Sequence, residues 1–138
     1  MKTIEVVAAV IKNGDLYLGT KRGYGEFKGM WEFPGGKIES GESKEEALVR
    51  EIKEEMNADI NVDNYLCTVD YDYPNFHLIM HAYICSLKND NIELIYHDEN
   101  ELEHDSIKWL DSNSLEKVNW LPADIEIVNR LKNKSLSK

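Results

Sequence analysis

Residues 6–11, VVAAVI, offer water no polar face, and within the run TIEVVAAVIK they read as a strand buried on both sides. Such a strand belongs inside a sheet. The residues that follow supply a first partner: Asn13-Gly14-Asp15 is a tight-turn signal, and LYLGTKR returns as the second arm of a hairpin. GYGEFKG is then a loop, whose glycines do not fit the dinucleotide-binding pattern. MWEFPGG reads as a short strand stopped by Pro34 and the glycine pair after it.

The next element is marked by its ends. Ser43 with Glu46 three residues on makes a capping box, the start of a helix of about four turns. Asn57 stands where that helix wants a left-handed terminating residue. Between them Leu48, Ile52 and Met56 form the stripe that packs the helix down. INVDNYLCTVDYDY and FHLIMHAYICSL, split by Pro74 and Asn75, are two more strands, and IELIYH is a short extended piece. SIKWLD reads as a strand and SNSLEKV as a short helical turn. PADIEIVNRLKN has Pro122 at a first helical position and an apolar pattern at Ile125, Val128 and Leu131, so it is a second helix. Residues 133–138 read as a frayed tail. With no repeat, linker or low-complexity block, residues 1–138 are expected to form one α/β domain of mixed strand order.

A chain of 138 residues suffices for one domain with a sizeable core. Its formal charge of −10 argues against wrapping a nucleic-acid polymer, which needs a basic footprint. A nucleotide ligand is still compatible, because a divalent cation neutralises acids and phosphates together. The apolar runs are too short to span a bilayer, and no signal peptide is visible at the N-terminus. Cys67 and Cys85 have no metal spacing and are expected to be reduced and structural, which with the missing leader points to a cytoplasmic protein.

The helix carries Glu51, Glu54 and Glu55 within a sector of about 100°, beside its apolar stripe. Like charges at that spacing repel by a few tenths of a kcal/mol per pair. A solvated acidic face is the plain reading of such a run. Its surroundings favour another: Gly35-Gly36-Lys37 lies just upstream, and a glycine pair lets backbone approach a ligand closely. Hard cations such as Mg²⁺ take oxygen ligands, often carboxylates together with substrate phosphates.

GKIESGESKEEALVREIKEEMNA, residues 36–58, resembles the Nudix box, with Gly36, Glu42, Arg50, Glu51, Ile52, Glu54, Glu55 and Ala58 in register. The one departure is Asn57 in place of glycine, which suits the end of the helix. IEVVAAVI, MWEFPGGK and LPADIEIVNRL are similar to the MutT-like branch, and especially to its cytidine triphosphate pyrophosphohydrolases. The resemblance implies an α/β/α sandwich around a mixed sheet. It also implies Mg²⁺-dependent cleavage of a nucleoside triphosphate to a monophosphate and pyrophosphate, with Mn²⁺ able to substitute.

The same resemblance implies that Glu51, Glu54 and Glu55 hold the metal, with the carbonyl of Gly35 or Gly36 close by. Arg50 and Glu42 look like an ion pair tying helix to loop, either orienting or merely supporting it. Lys37 faces phosphate oxygens or else solvent. Glu103 matches a late acidic ligand and could bind metal or take a proton from water, as could Glu51; Glu99, Glu101 and Asp105 crowd the same stretch. Arg22, Phe33 and Asp124 are the candidates for the base pocket. An ionised Asp124 only accepts hydrogen bonds, which suits the amine of cytosine. Alternatively it donates to 8-oxo-guanine when protonated, or simply favours the start of its helix. Tyr73 and Phe76 either stack on the base or pack in the core. His77 and His81 lie in strand-like sequence, too far apart to share a metal, and are structural; Trp31, Trp109 and Trp120 are core. The expected function is (d)CTP or 5-methyl-dCTP pyrophosphohydrolysis by a monomer or homodimer, against removal of 8-oxo-dGTP or a non-catalytic nucleotide-binding module.

Overall fold

The structure, a computed structural model, describes residues 2–23, 25–89 and 104–136, the side chains of 104–106 and 133–136 aside. Strand β1 (Lys2–Asn13) turns through Gly14-Asp15 into β2 (Leu16–Arg22). Gly14 has a φ of 60°, the left-handed conformation that the turn requires. Short strands β3 (Trp31–Glu32) and β4 (Gly35–Lys37) lead to helix α1 (Lys44–Met56). Long strands β5 (Ile60–Tyr73) and β6 (Phe76–Leu87) follow, then β7 (His104–Leu110), a 3₁₀ turn at Leu115–Lys117 and helix α2 (Pro122–Leu136). Helix α2 thus reaches into the stretch read as a tail. The IELIYH segment lies outside the described residues.

The sheet runs β3-β2-β1-β6-β5, with β4 added to β1 and β7 to β2. Among the described strands only β1 and β6 pair in parallel, over Lys2 to Ile11 against Phe76 to Cys85. The mixed order thus comes from one parallel contact at the centre. Alternation along β1 sends Val7, Ala9 and Ile11 into one apolar cluster and Ala8 and Val10 into another. The first cluster contains Leu48, Ile52 and Met56 of α1, and the second contains Ala123, Ile127 and Leu131 of α2. A helix therefore covers each face of the sheet, which is the α/β/α sandwich.

The caps of α1 are formed as the sequence indicates. Ser43 accepts from the Glu46 amide, Glu46 accepts from the Ser43 amide, and Asn57 takes a φ of 50° while its amide donates to the Lys53 carbonyl. One expectation needs correcting: Gly35 and Gly36 do not stop a strand but form one. Gly36 pairs with Val7 and Gly35 with Ala8, and a Cβ on Gly35 would overlap the Val7 carbonyl, so only glycine comes this close. The tryptophans also divide. Trp120 is buried, whereas Trp31 and Trp109 keep part of their surface in water. No helix among the described residues is long and apolar enough to cross a membrane.

Candidate active site

Pairing β4 against β1 brings the glycine pair under α1. The Glu51 carboxylate lies where a Cβ on Gly36 would be, so the missing side chain makes room for that acid. Beside it, Arg50 uses all five of its donors. Nε and Nη2 grip Glu42 at 2.7 and 2.9 Å, and Nη2 also donates to the Lys37 carbonyl at 3.0 Å. Nη1 donates to Glu51 at 3.2 Å and to Glu54 at 3.1 Å, with Glu39 also 3.3 Å away. One half of the guanidinium thus binds the loop, and the other half neutralises two acids of the helix. The Arg50 side chain holds the Glu42 carboxyl below the usual carboxylate range, chiefly by hydrogen bonding.

The three box glutamates differ in setting. The Glu54 side chain is 53% exposed, the Glu51 side chain 16%, and Glu55 is buried beneath them. Among the described residues no three acidic, histidine or cysteine side chains converge on one point, and Glu51 and Glu54 are both bonded by Arg50 Nη1. The set nevertheless fits a hard divalent cation. Its donors are carboxylate oxygens, the glycine cradle keeps the backbone open beside Glu51, and a positive guanidinium nitrogen already sits between Glu51 and Glu54. Glu103, Glu99 and Glu101 lie outside the described residues, and for Asp105 only the backbone is described.

A cavity of about 380 Å³ joins this edge to the base-pocket candidates. Gly35, Gly36, Lys37 and Glu51 line it, and so do Arg22, Phe33 and Asp124. Apolar walls come from Phe27, Tyr73, Phe76, Leu78 and Met80. Phe33 is buried and stacks on Trp120 with centroids 4.5 Å apart, so one side of its ring is already occupied. Tyr73 and Phe76 stack on each other at 5.1 Å and line the cavity as well, which makes them wall and packing at once.

Asp124 is the group that the fold changes most. It is only 4% exposed, and its Oδ2 accepts from the Phe33 amide at 2.9 Å. Burial, with the Glu32 carboxylate as second cause, pushes its carboxyl pKa well above the ordinary value; the Phe33 amide and Arg22 oppose this less strongly. Asp124 is therefore held toward its neutral form, which favours the protonated alternative over the ionised acceptor. With Oδ2 accepting from Phe33, the proton of the neutral acid falls on Oδ1, which can donate.

Glu32 is the residue that sequence reading passed over. It takes Arg22 in a two-point grip at 2.8 and 2.7 Å and lines the same cavity. An acid between Trp31 and Phe33 in a short strand was the available signal, since it must either face water or find a cation. Phe27 was equally hidden, inside a loop with no periodicity. The two histidines sit apart from this site: His77 bonds Asp72 and Asp70, and His81 bonds Glu5 and Thr68. Cys67 and Cys85 are buried free thiols.

The profile of the NUDIX domain matches residues 2–131. The chain is 32% identical over 129 residues to the CTP pyrophosphohydrolase of Escherichia coli K12, covering 93% of this chain and 90% of that one. It is 30% identical over 137 residues to the 8-oxo-dGTP diphosphatase of Haemophilus influenzae, covering 97% and 95%. In fold it is similar to the crystal structure of a MutT Nudix hydrolase from Burkholderia pseudomallei, with a TM-score of 0.82, 24% identity, and coverage of 94% and 98%.

Proposed function

The chain belongs to the Nudix family and is a Nudix hydrolase, and on that premise we propose that it cleaves CTP, dCTP or a 5-methyl form to the monophosphate and pyrophosphate. The observation that carries this reading is the single cavity that touches both the glycine–glutamate edge and the Arg22–Glu32–Asp124 group. A triphosphate lying along it would place phosphates beside Lys37 and the box, and a base beside Asp124.

Nudix hydrolases generally work with divalent cations such as Mg²⁺, and here Glu51, Glu54 and Glu55 would hold one, near the Gly35 and Gly36 backbone. Bound there, the cation would supply charge neutralisation of the phosphates and an acidified water. The chain's own residues do the rest by positioning. Arg50 and Glu42 fix the loop against the helix, Lys37 meets phosphate oxygens, and the apolar walls exclude water from the base. Glu103 is proposed as a further acid for this site, as ligand or base.

For the base, a neutral Asp124 donates and Glu32 accepts. The cytosine edge offers a ring nitrogen acceptor beside an amine donor, which matches both. In the same pose uracil or thymine would set a donor against Asp124 and an acceptor against Glu32. Leaving such groups opposed costs about 1–3 kcal/mol, so at least about a tenfold preference in kcat/KM for dCTP over dTTP is expected. The donor on Asp124 also suits the O6 acceptor of an oxidised guanine, which keeps 8-oxo-dGTP as the second reading. The test is turnover of dCTP, dTTP and 8-oxo-dGTP with Mg²⁺ in ¹⁸O-water. Monophosphate and pyrophosphate are the expected products. Orthophosphate released singly would sink the pyrophosphohydrolase reading, and a strong preference for 8-oxo-dGTP would replace the cytidine one.

A further inference from the structure

Helix α2 begins at Pro122, directly after Leu121. A helix start leaves backbone amides without partners, and a leucine before the first turn has no side-chain acceptor to offer them. Pro122 has no amide, and the Asp124 amide donates to the Leu121 carbonyl at 2.9 Å. That leaves Ala123, which is fully buried. Its amide donates to the phenolic oxygen of Tyr73 at 3.1 Å, across 50 residues of chain. Tyr73, at the end of β5, thus does for α2 what Ser43 does for α1.

The next residue after Ala123 is Asp124, whose Oδ2 accepts from Phe33. The first turn of α2 is consequently pinned at two adjacent residues, once to β5 and once to the end of β3. The Tyr73 ring is itself held by Phe76, by Tyr71 at 4.8 Å and by Phe27 at 5.4 Å. Deep burial pushes its phenol pKa up to about 12, so the hydroxyl keeps its proton throughout the neutral range.

We propose that Tyr73 is a positioning residue for base selection, setting through the Ala123 amide the place at which Asp124 meets the base. The inference rests on the reading of this cavity as the base pocket. Removing the phenolic oxygen alone frees the first turn of α2 while leaving the aromatic wall filled. Asp124 then meets right and wrong bases less differently.

The experiment compares the parent, Tyr73→Phe, Asp124→Asn and the double variant on dCTP, dTTP and 8-oxo-dGTP, with circular dichroism confirming each fold. Affinities for CMP and UMP, measured by calorimetry, read the same selection without turnover. Tyr73→Phe should narrow the spread of kcat/KM between best and worst base by about fivefold or more, the scale of one lost buried hydrogen bond. The change should fall more heavily on KM than on kcat, because the contact it loosens selects the bound base. The double variant should be no less selective than Asp124→Asn, because both changes act on one contact. An unchanged spread, an equal loss on every base, or losses that multiply in the double variant would each overturn the proposal. Preference of the parent for 8-oxo-dGTP would defeat only the cytidine reading, and Tyr73 would be judged by whether that preference narrows. A parent without any base preference, in turnover and in monophosphate binding, defeats both.

Discussion

The two ends of the cavity treat charge in opposite ways. At the box end Arg50 faces Glu39, Glu42, Glu51 and Glu54, two of them largely exposed, and it holds the Glu42 carboxyl below the usual carboxylate range. At the other end, the proposed base pocket, Arg22 and Glu32 are partly buried, and Asp124 is so far from water that its carboxyl is pushed toward neutrality. The signs of the pH dependence differ accordingly. Glu42, lowered when folded, contributes stability that is present above its unfolded pKa and is lost as pH falls through the folded value. Asp124, raised when folded, binds its proton more tightly in the native state, so stability falls as pH rises from the unfolded value toward the folded one. One end sets several acids round a guanidinium, and the other buries a carboxyl away from water.

The contrast breaks most visibly at Glu54. Glu54→Gln keeps the shape but weakens a ligand, and turnover should drop at least about a hundredfold, the several kcal/mol that a bound cation contributes. Its base preference, read from residual activity, should not move. Retention of most turnover at saturating Mg²⁺ would remove Glu54 from the metal set. Arg50→Gln should cost about ten- to a hundredfold in turnover, as for other residues that hold metal ligands in place. It should also erase the acid-side loss of stability that Glu42 contributes, which thermal melts between pH 3 and 6 would register. If the melts keep their slope, Arg50 is not what holds Glu42 ionised. The smallest effect belongs to Asp124→Asn. The amide still accepts from Phe33 but carries no titrating proton, so the variant should gain on the parent in melting temperature as pH rises from 4 to 8. A constant gap across that range would mean that Asp124 is not buried neutral.

How much of this was legible in the chain follows from how far apart the partners lie. The side-chain hydrogen bonds of Arg50 span 1, 4, 8 and 13 residues, which is why a local motif could announce them. Both caps of α1 and both long strands were equally readable, because capping boxes and apolar runs are decided within a few residues. At the base end Asp124 reaches Phe33 across 91 residues, and Tyr73 reaches Ala123 across 50. No window of sequence contains either pair.

The glycine pair shows the same division within one motif. Its presence pointed to a close approach, but that the neighbour would be β1, and the beneficiary Glu51, depended on the pairing of β4. By itself, then, the sequence determined which helix carries the acids, where it starts and stops, and which of its faces is buried, since helix periodicity and capping are local. Tertiary structure alone decided that Glu32 would join Arg22 in the cavity, that a tyrosine would cap α2, and that the Asp124 carboxyl would be pushed above its ordinary pKa. A pKa is set by how much water and how many charges surround a group, and those are properties of the packed chain.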